Sequence, residues 1–478
     1  MNNEFHASRR MEVVVLTVLA LGWSVFVYGA AAHSYRSAAV VLTAVAALVA
    51  IVRLPGPRRW PRVPWPAVAA AAVLLAYGWF MVVNAVAEHS LVYWKFTELE
   101  DRLAPWAPGS VARRTSLRAM LELSAVVLAC LAAIRATQTG AWRRLLGLLA
   151  VLGALVALTG TVHKALGAET VWFIDDIQPK TIFAPFIYAG NAGQFMNLTL
   201  PVAFGLWLSG VFDPERRAAN GFWALATVLI AVGVVVSSSK GAILVLAVSL
   251  VAQIAWNRHR VWEVIRGGIH ERGRRIERLV LLVALAILAV VLMVVGIGMV
   301  MERWHAFLAG FEKVEGPKTL AGRLKMIEIL LYMASPDEAS WRGFGPGTFR
   351  HLIPYMTVDE SRRIEGGWQH GHCDPLQTVV EWGYLGAAAW FTLGGGAVLA
   401  GILLCRRGRV ASHDVPLVRG MVIGLTVVAL HSAMDFPFSI YAIHLAAMLM
   451  CAICWGLWAG RRHGGVEKWR DRGAAPEP

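Results

Sequence analysis

Apolar runs of about 20 residues, each long enough to cross some 30 Å of hydrocarbon as a helix, recur along this chain between short polar breaks. They fall near residues 11–32, 37–54, 66–87, 118–136, 143–162, 181–209, 221–237, 241–256, 279–301, 384–405, 419–435 and 441–460. The pattern predicts an all-α, polytopic integral membrane protein of about 12 transmembrane helices. The first run ends at Ala30-Ala31-Ala32, which looks like a signal-peptide cleavage site. It is longer than the about 7–15 apolar residues of a signal peptide, so it reads as an uncleaved helix.

One polar stretch is far longer than the rest. Residues 302–383 form a loop with short helical segments, and a loop of that size in a compact protein is usually functional or a small domain. The chain accordingly divides into an N-terminal transmembrane bundle (1–180), a transmembrane core (181–301), the large loop (302–383), and C-terminal helices with a basic tail (384–478). A second polar segment, 88–117, has mixed charge and several prolines. No internal repeat stands out.

Composition agrees with the pattern. Apolar residues make up 57% and charged residues 16%, against about 45–50% and 25% in soluble domains. The 20 tryptophans suit a protein with two membrane interfaces. A net charge of +14 raises the possibility of a nucleic-acid binder, but that function needs a basic patch on a soluble fold. The positive-inside rule accounts for the charge instead. With the N-terminus inside, the inner loops hold Arg53, Arg58, Arg59 and Arg62, then Arg143 and Arg144, seven arginines from Arg258 to Arg278, and Arg406, Arg407, Arg409 and Arg419. The long loop, placed outside, has nine Lys and Arg against eleven Asp and Glu. Both termini are therefore expected in the cytoplasm, and the basic stretch 257–278 is expected to meet anionic lipid. The five cysteines show no zinc-ligand spacing.

Candidate chemistry gathers on the outer side. In Leu320-Ala-Gly-Arg323-Leu-Lys-Met-Ile, the residues Leu320, Leu324, Ile327 and Leu331 share one helix face that Arg323 borders. Such a guanidinium either snorkels to the headgroups or grips a phosphate bidentately. Gly343-Phe-Gly-Pro-Gly-Thr-Phe349 permits tight turns but lacks the Gly-Lys-Ser/Thr of a nucleotide loop. Trp368-Gln-His370-Gly-His372-Cys-Asp374 offers two histidines as metal ligands, as a general base, or as solvated loop residues; His351 is the nearest further ligand. Ser237-Ser-Ser239-Lys240-Gly241 sets three hydroxyls beside a cation, which suits either a phosphate or an interfacial lysine. Tyr188, Asn191 and Gln194, between Pro185 and Pro201, point to a broken helix lining a cavity. His431 and Asp435, at i and i+4, read as a local hydrogen bond ending a helix.

In this order, from Phe183 through Asn191 to Pro201, then Ser237–Gly241, Gly322-Arg323, Gly343–Phe349 and His370–Gly383, the motifs resemble the O-antigen ligase and O-antigen polymerase superfamily of bacteria. The resemblance covers about residues 180–435; the first five spans carry no diagnostic motif. It implies a membrane glycosyltransferase of the C-type fold that uses no cofactor and no metal. Its donor would be an undecaprenyl-diphosphate-linked glycan at the periplasmic face of the inner membrane, and its acceptor lipid A–core, a second lipid-linked glycan, or a protein. Carried over, Arg323 holds the diphosphate and His372 is the base, with His370 as second choice. Lys240 stands where the family more often has arginine, and so lacks bidentate geometry; Asn191, Tyr188 and Ser239 line the cavity. A transporter of lipid or polysaccharide is the rival from another class, but transporters tend to show repeats and midplane charges. An assembly role fits the reactive residue cluster less well.

Overall fold

The computed structural model describes residues 19–30, 33–53, 63–90, 95–168, 170–171, 182–211, 219–266, 286, 320–335, 341–364 and 366–460. These are mostly helical. In chain order the helices are α1 (His33–Arg53), α2 (Trp65–Val83), α3 (Arg113–Thr139), α4 (Trp142–Ala165), α5 (Ala189–Val211), α6 (Asn220–Val236) and α7 (Lys240–Trp256). They continue as α8 (Arg258–Arg266), α9 (Leu320–Met333), α10 (Phe349–Met356), α11 (Asp374–Arg406), α12 (Val415–His431) and α13 (Tyr441–Gly460). Between α2 and α3 lies a two-stranded departure from an all-α chain, and an isolated antiparallel bridge joins Phe183 and Phe186. Strands β1 (Ala87–Ser90) and β2 (Lys95–Glu98) pair antiparallel, with Ala87 opposite Glu98 and Ser90 opposite Lys95.

Seven helices among the described residues are long and apolar enough to cross a membrane, or eight if α7 and α8, bent by 77°, form one span. The chain is thus an all-α polytopic membrane protein in its main lines, while twelve spans go beyond what the described residues hold. Most of the first expected span and, apart from residue 286, all of the ninth (279–301) lie outside them. At the sixth, α5 is long enough, but Asn191, Gln194, Asn197 and Thr199 interrupt its apolar sequence.

Those polar residues are tolerated because α5 is the centre of the bundle. It is buried from Gly190 to Gly210 and packs against α4, α6, α7 and α12. Small residues let the backbones approach: a Cβ at Gly420 of α12 would lie 2.2 Å from the Pro201 carbonyl oxygen. Interhelical bonds hold some of the polar groups, with Asn197 Nδ2 donating to Ala242 O (2.8 Å) and Gln253 Nε2 to Pro201 O (3.0 Å); such bonds contribute on the order of 1 kcal/mol each. Pro201 therefore sits inside a continuous helix, and the expected break at that position does not occur. Irregular backbone is confined to residues before Ala189.

The bundle has two dissimilar ends. At one, α8 folds across the base of α7, Arg143 pairs with Asp414, and Arg260 and Arg419 donate to Ser412 O (2.5 Å) and Trp256 O (2.7 Å). At the other, α9 and α10 form a small apolar layer built on Met326, Ile329, Leu330, Met333, Phe349 and Leu352. This layer caps the start of α3, the start of α11 and the end of α12.

Candidate active site

The capping layer is fixed by one carboxylate. Glu381, on the first turns of α11, accepts from Gly347 N (2.9 Å) and Phe349 N (3.3 Å) at the start of α10, where orphan amides favour an anion. Gln377 links this cap to the histidine loop, donating to Glu381 Oε1 (3.0 Å) and accepting from Gly371 N (2.8 Å). Gly343 and Gly383 adopt positive φ (76° and 65°) back to back, and a Cβ on Gly343 would lie 2.4 Å from Gly383 N. The glycine motif 343–349 is therefore a structural clamp, which agrees with its lack of a nucleotide-loop signature.

Asp374 performs a similar task on the other side. Its backbone N–H donates to Ser432 O (2.9 Å), and its carboxylate accepts from Phe438 N (2.8 Å) and Ser439 Oγ (3.2 Å). The histidine loop and the α12–α13 turn are thereby held against each other, and Asp435 of that turn becomes the centre of the site. Asp435 is 2% exposed. Its Oδ1 lies 3.2 Å from His372 Nδ1, and its Oδ2 accepts from Gln194 Nε2 (2.9 Å) and lies 3.8 Å from His431 Nε2. Burial alone raises its carboxyl pKa, but the contact with His372 and the charges of Arg323, His372 and His431 outweigh that effect. The net result is a pKa below the ordinary carboxylate value.

Arg323 closes one side, donating to Met434 O (3.0 Å) and reaching the Tyr188 hydroxyl (3.4 Å). The leucine stripe read from the sequence is not the packed face of α9. Leu324 and Leu331 are 53% and 56% exposed, whereas Met326, Ile329, Leu330 and Met333 are buried. Arg323 precedes Met326 and Leu330 by three and seven residues, so it shares the buried face; snorkelling along the leucines is not its arrangement.

Aromatic contacts set the two histidines. His370 stacks on Phe436 (4.5 Å between centroids, 18° between planes), while His372 meets the same ring edge-on at 4.7 Å and Trp368 edge-on at 5.4 Å. Tyr188 also stacks on Phe436, at 6.2 Å. Burial, then the charges of Arg36, His372 and Arg350, push His370 down to about 3, so it stays neutral at physiological pH. His372 holds φ +49°, a left-handed conformation uncommon outside glycine. His351 is elsewhere, with Nε2 2.9 Å from Thr115 Oγ1 and its ring against His89. It does not join the other two.

The remaining expected site residues divide. Asn191 is buried one turn before Gln194 on α5, and neither Asn191 Oδ1 nor Gln194 Oε1 has a hydrogen-bond partner among the described residues. The serines serve the backbone. Ser237 Oγ donates to Val234 O (2.6 Å), Ser239 caps α7 by accepting from Ala242 N (3.5 Å), and Ser238 Oγ donates to Val236 O (3.2 Å) and accepts from Lys164 Nζ (3.3 Å), so each hydroxyl is engaged within the protein. Lys240 is exposed at the start of α7, and the adjacent Gly241 abuts the hub: a Cβ there would lie 2.9 Å from His431 Nε2.

Gln194, Phe436 and Asp435 are the members sequence reasoning missed in this role. The His431–Asp435 spacing was visible, but α12 ends at His431 and the carboxylate turns instead to His372 and Gln194.

No curated protein matches the chain by sequence. Residues 225–391 match the family model described as O-antigen ligase. That segment, about a third of the chain, contains Lys240, Arg323, His370, His372 and Glu381 and stops short of His431 and Asp435. A family model for O-antigen ligases thus matches the centre of this multi-helix bundle, which supports assigning the chain to the O-antigen ligase and polymerase family.

Proposed function

We propose that this protein is a membrane glycosyltransferase of the ligase type, moving a glycan from undecaprenyl diphosphate to an acceptor hydroxyl at the periplasmic face of the inner membrane. The observation that carries this reading is the convergence of Arg323, His372 and Asp435, with Gln194 and His431, at the capped end of the bundle. The arginine distribution of the sequence supports turning that end away from the cytoplasm.

Each part has a chemical task. A diphosphate is a good leaving group, so the protein has to stabilise its developing charge and orient the acceptor. Arg323 supplies a partly buried cation for the first task, and Lys240 adds an exposed charge at the rim. Asp435 faces His372 Nδ1, which favours the tautomer with hydrogen there and leaves Nε2 to take the acceptor proton. The acceptor oxygen then bonds to the anomeric carbon as the carbon–phosphate oxygen bond breaks, and that electron pair leaves with the diphosphate. His370 is the weaker candidate base, because a group held near 3 has little proton affinity at neutral pH.

The test is reconstitution in proteoliposomes with a polyprenyl-diphosphate-linked glycan and candidate acceptors. Arg323→Ala and His372→Ala are each expected to reduce transfer by at least about 10²-fold while membrane insertion is retained. Wild-type transfer by either variant would overturn the assignment. In cells, deletion followed by gel analysis separates the readings: loss of all capped core indicates a ligase, single-repeat capping a polymerase, and unchanged lipopolysaccharide with lost exopolysaccharide another polymer.

A further inference from the structure

The segment between β2 and α3, which the site does not use, is a tightly built loop. Asn84, fully buried at the end of α2, holds it: its Oδ1 accepts from Ala104 N (2.9 Å), and its Nδ2 donates to the carbonyl oxygens of Ala104 (3.0 Å), Ala107 (3.2 Å) and Pro108 (3.0 Å). Ser110 N donates to Met81 O (2.9 Å), which ties the far end of the loop to the same helix. Charged side chains serve this fold, since Arg102 donates to Ala107 O (3.0 Å) and Asp101 pairs with Arg113 at 2.9 Å. The two large apolar side chains are turned out instead, with Leu103 71% and Trp106 80% exposed. A loop that met only water would turn its charges out and its apolar groups in.

The outward apolar surface continues onto neighbouring elements. Arg342 Nη1 donates to Trp106 O (3.1 Å), and its guanidinium lies 4.6 Å from the centre of the Trp341 ring, which is itself exposed. The Tyr77 hydroxyl of α2 donates to Arg342 O, and Tyr384 N of α11 donates to Trp341 O (3.3 Å), so the patch is fixed to the capped ends of α2 and α11. Both helices are long and apolar enough to cross a membrane. Their own exposed apolar side chains, Phe80 and Val83 on α2 and Leu385 and Phe391 on α11, therefore face hydrocarbon and extend the same surface. Two exposed indoles joined by a guanidinium, at the level where two spans end, suit the boundary between acyl chains and headgroups. Indole is amphipathic and collects there, and an arginine lays its stem on apolar surface while its charge reaches phosphate.

We propose that Leu103, Trp106, Trp341 and Arg342 form an anchor embedded in the phospholipid headgroup–acyl boundary at the capped end of the bundle, and that it fixes the depth of the cap in the bilayer. Segment 341–347 carries the anchor at one end and, at the other, the Gly347 amide bound by Glu381. The histidine loop, tied to Glu381 through Gln377, is thereby held at the headgroup plane, where a lipid-borne diphosphate lies. That last step rests on the transferase reading above, and two measurements keep the two apart. In the first, full-length protein carrying p-benzoylphenylalanine at position 103, 106 or 391 is irradiated in vesicles of phosphatidylethanolamine and phosphatidylglycerol, and adducts are identified by mass spectrometry. Position 391, on α11, is the lipid-facing reference. Phospholipid adducts are expected at 103 and 106 with at least about half the reference yield. Adducts at 391 alone, or capture of a second copy of the chain at 103 or 106, would overturn the anchor whether or not transfer is ever observed. In the second, proteoliposome transfer is measured for Trp106→Ser combined with Trp341→Ser, with a thermal midpoint to confirm folding. The KM of a polyprenyl-diphosphate-linked donor should rise about fivefold, that of a water-soluble acceptor should not change, and Tyr at both positions should restore the donor value. An unchanged donor KM would refute the depth role, and a rise confined to the acceptor would give the patch to the glycan and overturn the proposal. Absence of any wild-type transfer would defeat the transferase reading, and the crosslinks would still decide the anchor.

Discussion

Replacing Asp435 by Asn isolates the charge at the centre of the site with little change of shape. An amide oxygen can still accept from Gln194 Nε2, and the bonds of Arg323 to Met434 O and Tyr188 do not involve Asp435. What disappears is the attraction between the carboxylate and the imidazolium formed when His372 takes the acceptor proton. At the observed 3.2 Å and an effective dielectric of about 20, that attraction is about 5 kcal/mol gross. Arg323 and His431 share the same carboxylate, so about 3 kcal/mol is a reasonable net loss, equivalent to about 10²-fold in rate at 1.36 kcal/mol per decade. Because the attraction is realised only as the proton moves, the loss belongs in kcat rather than KM. The assay is proteoliposome transfer with donor and acceptor varied separately, alongside a thermal midpoint to confirm folding. A folded Asp435→Asn protein with kcat within threefold of wild type would refute the role given to the carboxylate. An intact kcat with a raised KM would show instead that Asp435 binds substrate.

Three further outcomes follow from the same geometry. Asp435 is depressed below its unfolded value near 4, so its stabilising charge is present above that value and lost as pH falls through the lower folded one. His370, held at about 3, protonates in the unfolded chain near 6.5 but not in the folded one, so stability should decline as pH falls from about 6.5 toward 3. His370→Phe should flatten that decline in a thermal-midpoint series, and an unchanged slope would refute it. Gly383→Ala places a Cβ 2.4 Å from Trp341 O at a positive φ and should destabilise the cap by several kcal/mol, read as lost expression or faster proteolysis of the 341–383 region. Lys240→Ala should reduce transfer by no more than about tenfold, because an exposed cation is screened; a loss equal to that of Arg323→Ala would place Lys240 within the charge-stabilising set.

The positions of the helices were largely legible, because membrane spans need long apolar runs and few sequences satisfy that by accident. The boundaries of α13, α4 and α6 lie within a few residues of the runs that announced them. Arg323 and His372 were legible as polar residues in an otherwise apolar protein. Their surroundings were not. The leucine stripe on α9 gave the wrong buried face, since a helix with apolar residues on two sides can pack on either, and only the α10–α11 layer selects the methionine side. The serines before Lys240 looked like anion ligands, but local side-chain-to-backbone bonds compete for such hydroxyls, and here they win.

The amino-acid sequence by itself determined that this chain lives in a membrane, which segments are helical, and that its reactive residues collect outside the apolar runs. Hydropathy is a local, additive property, so it survives in one dimension. Tertiary structure alone decided the site. Asp435 meets His372, 63 positions earlier, and Gln194, 241 positions earlier, because Asp374 and Glu381 tie three loops together and the buried α5 presents its polar face to them. Whether a buried carboxylate ends a helix or organises a polar hub depends on which partners desolvate and neutralise it, and those partners come from distant parts of the chain.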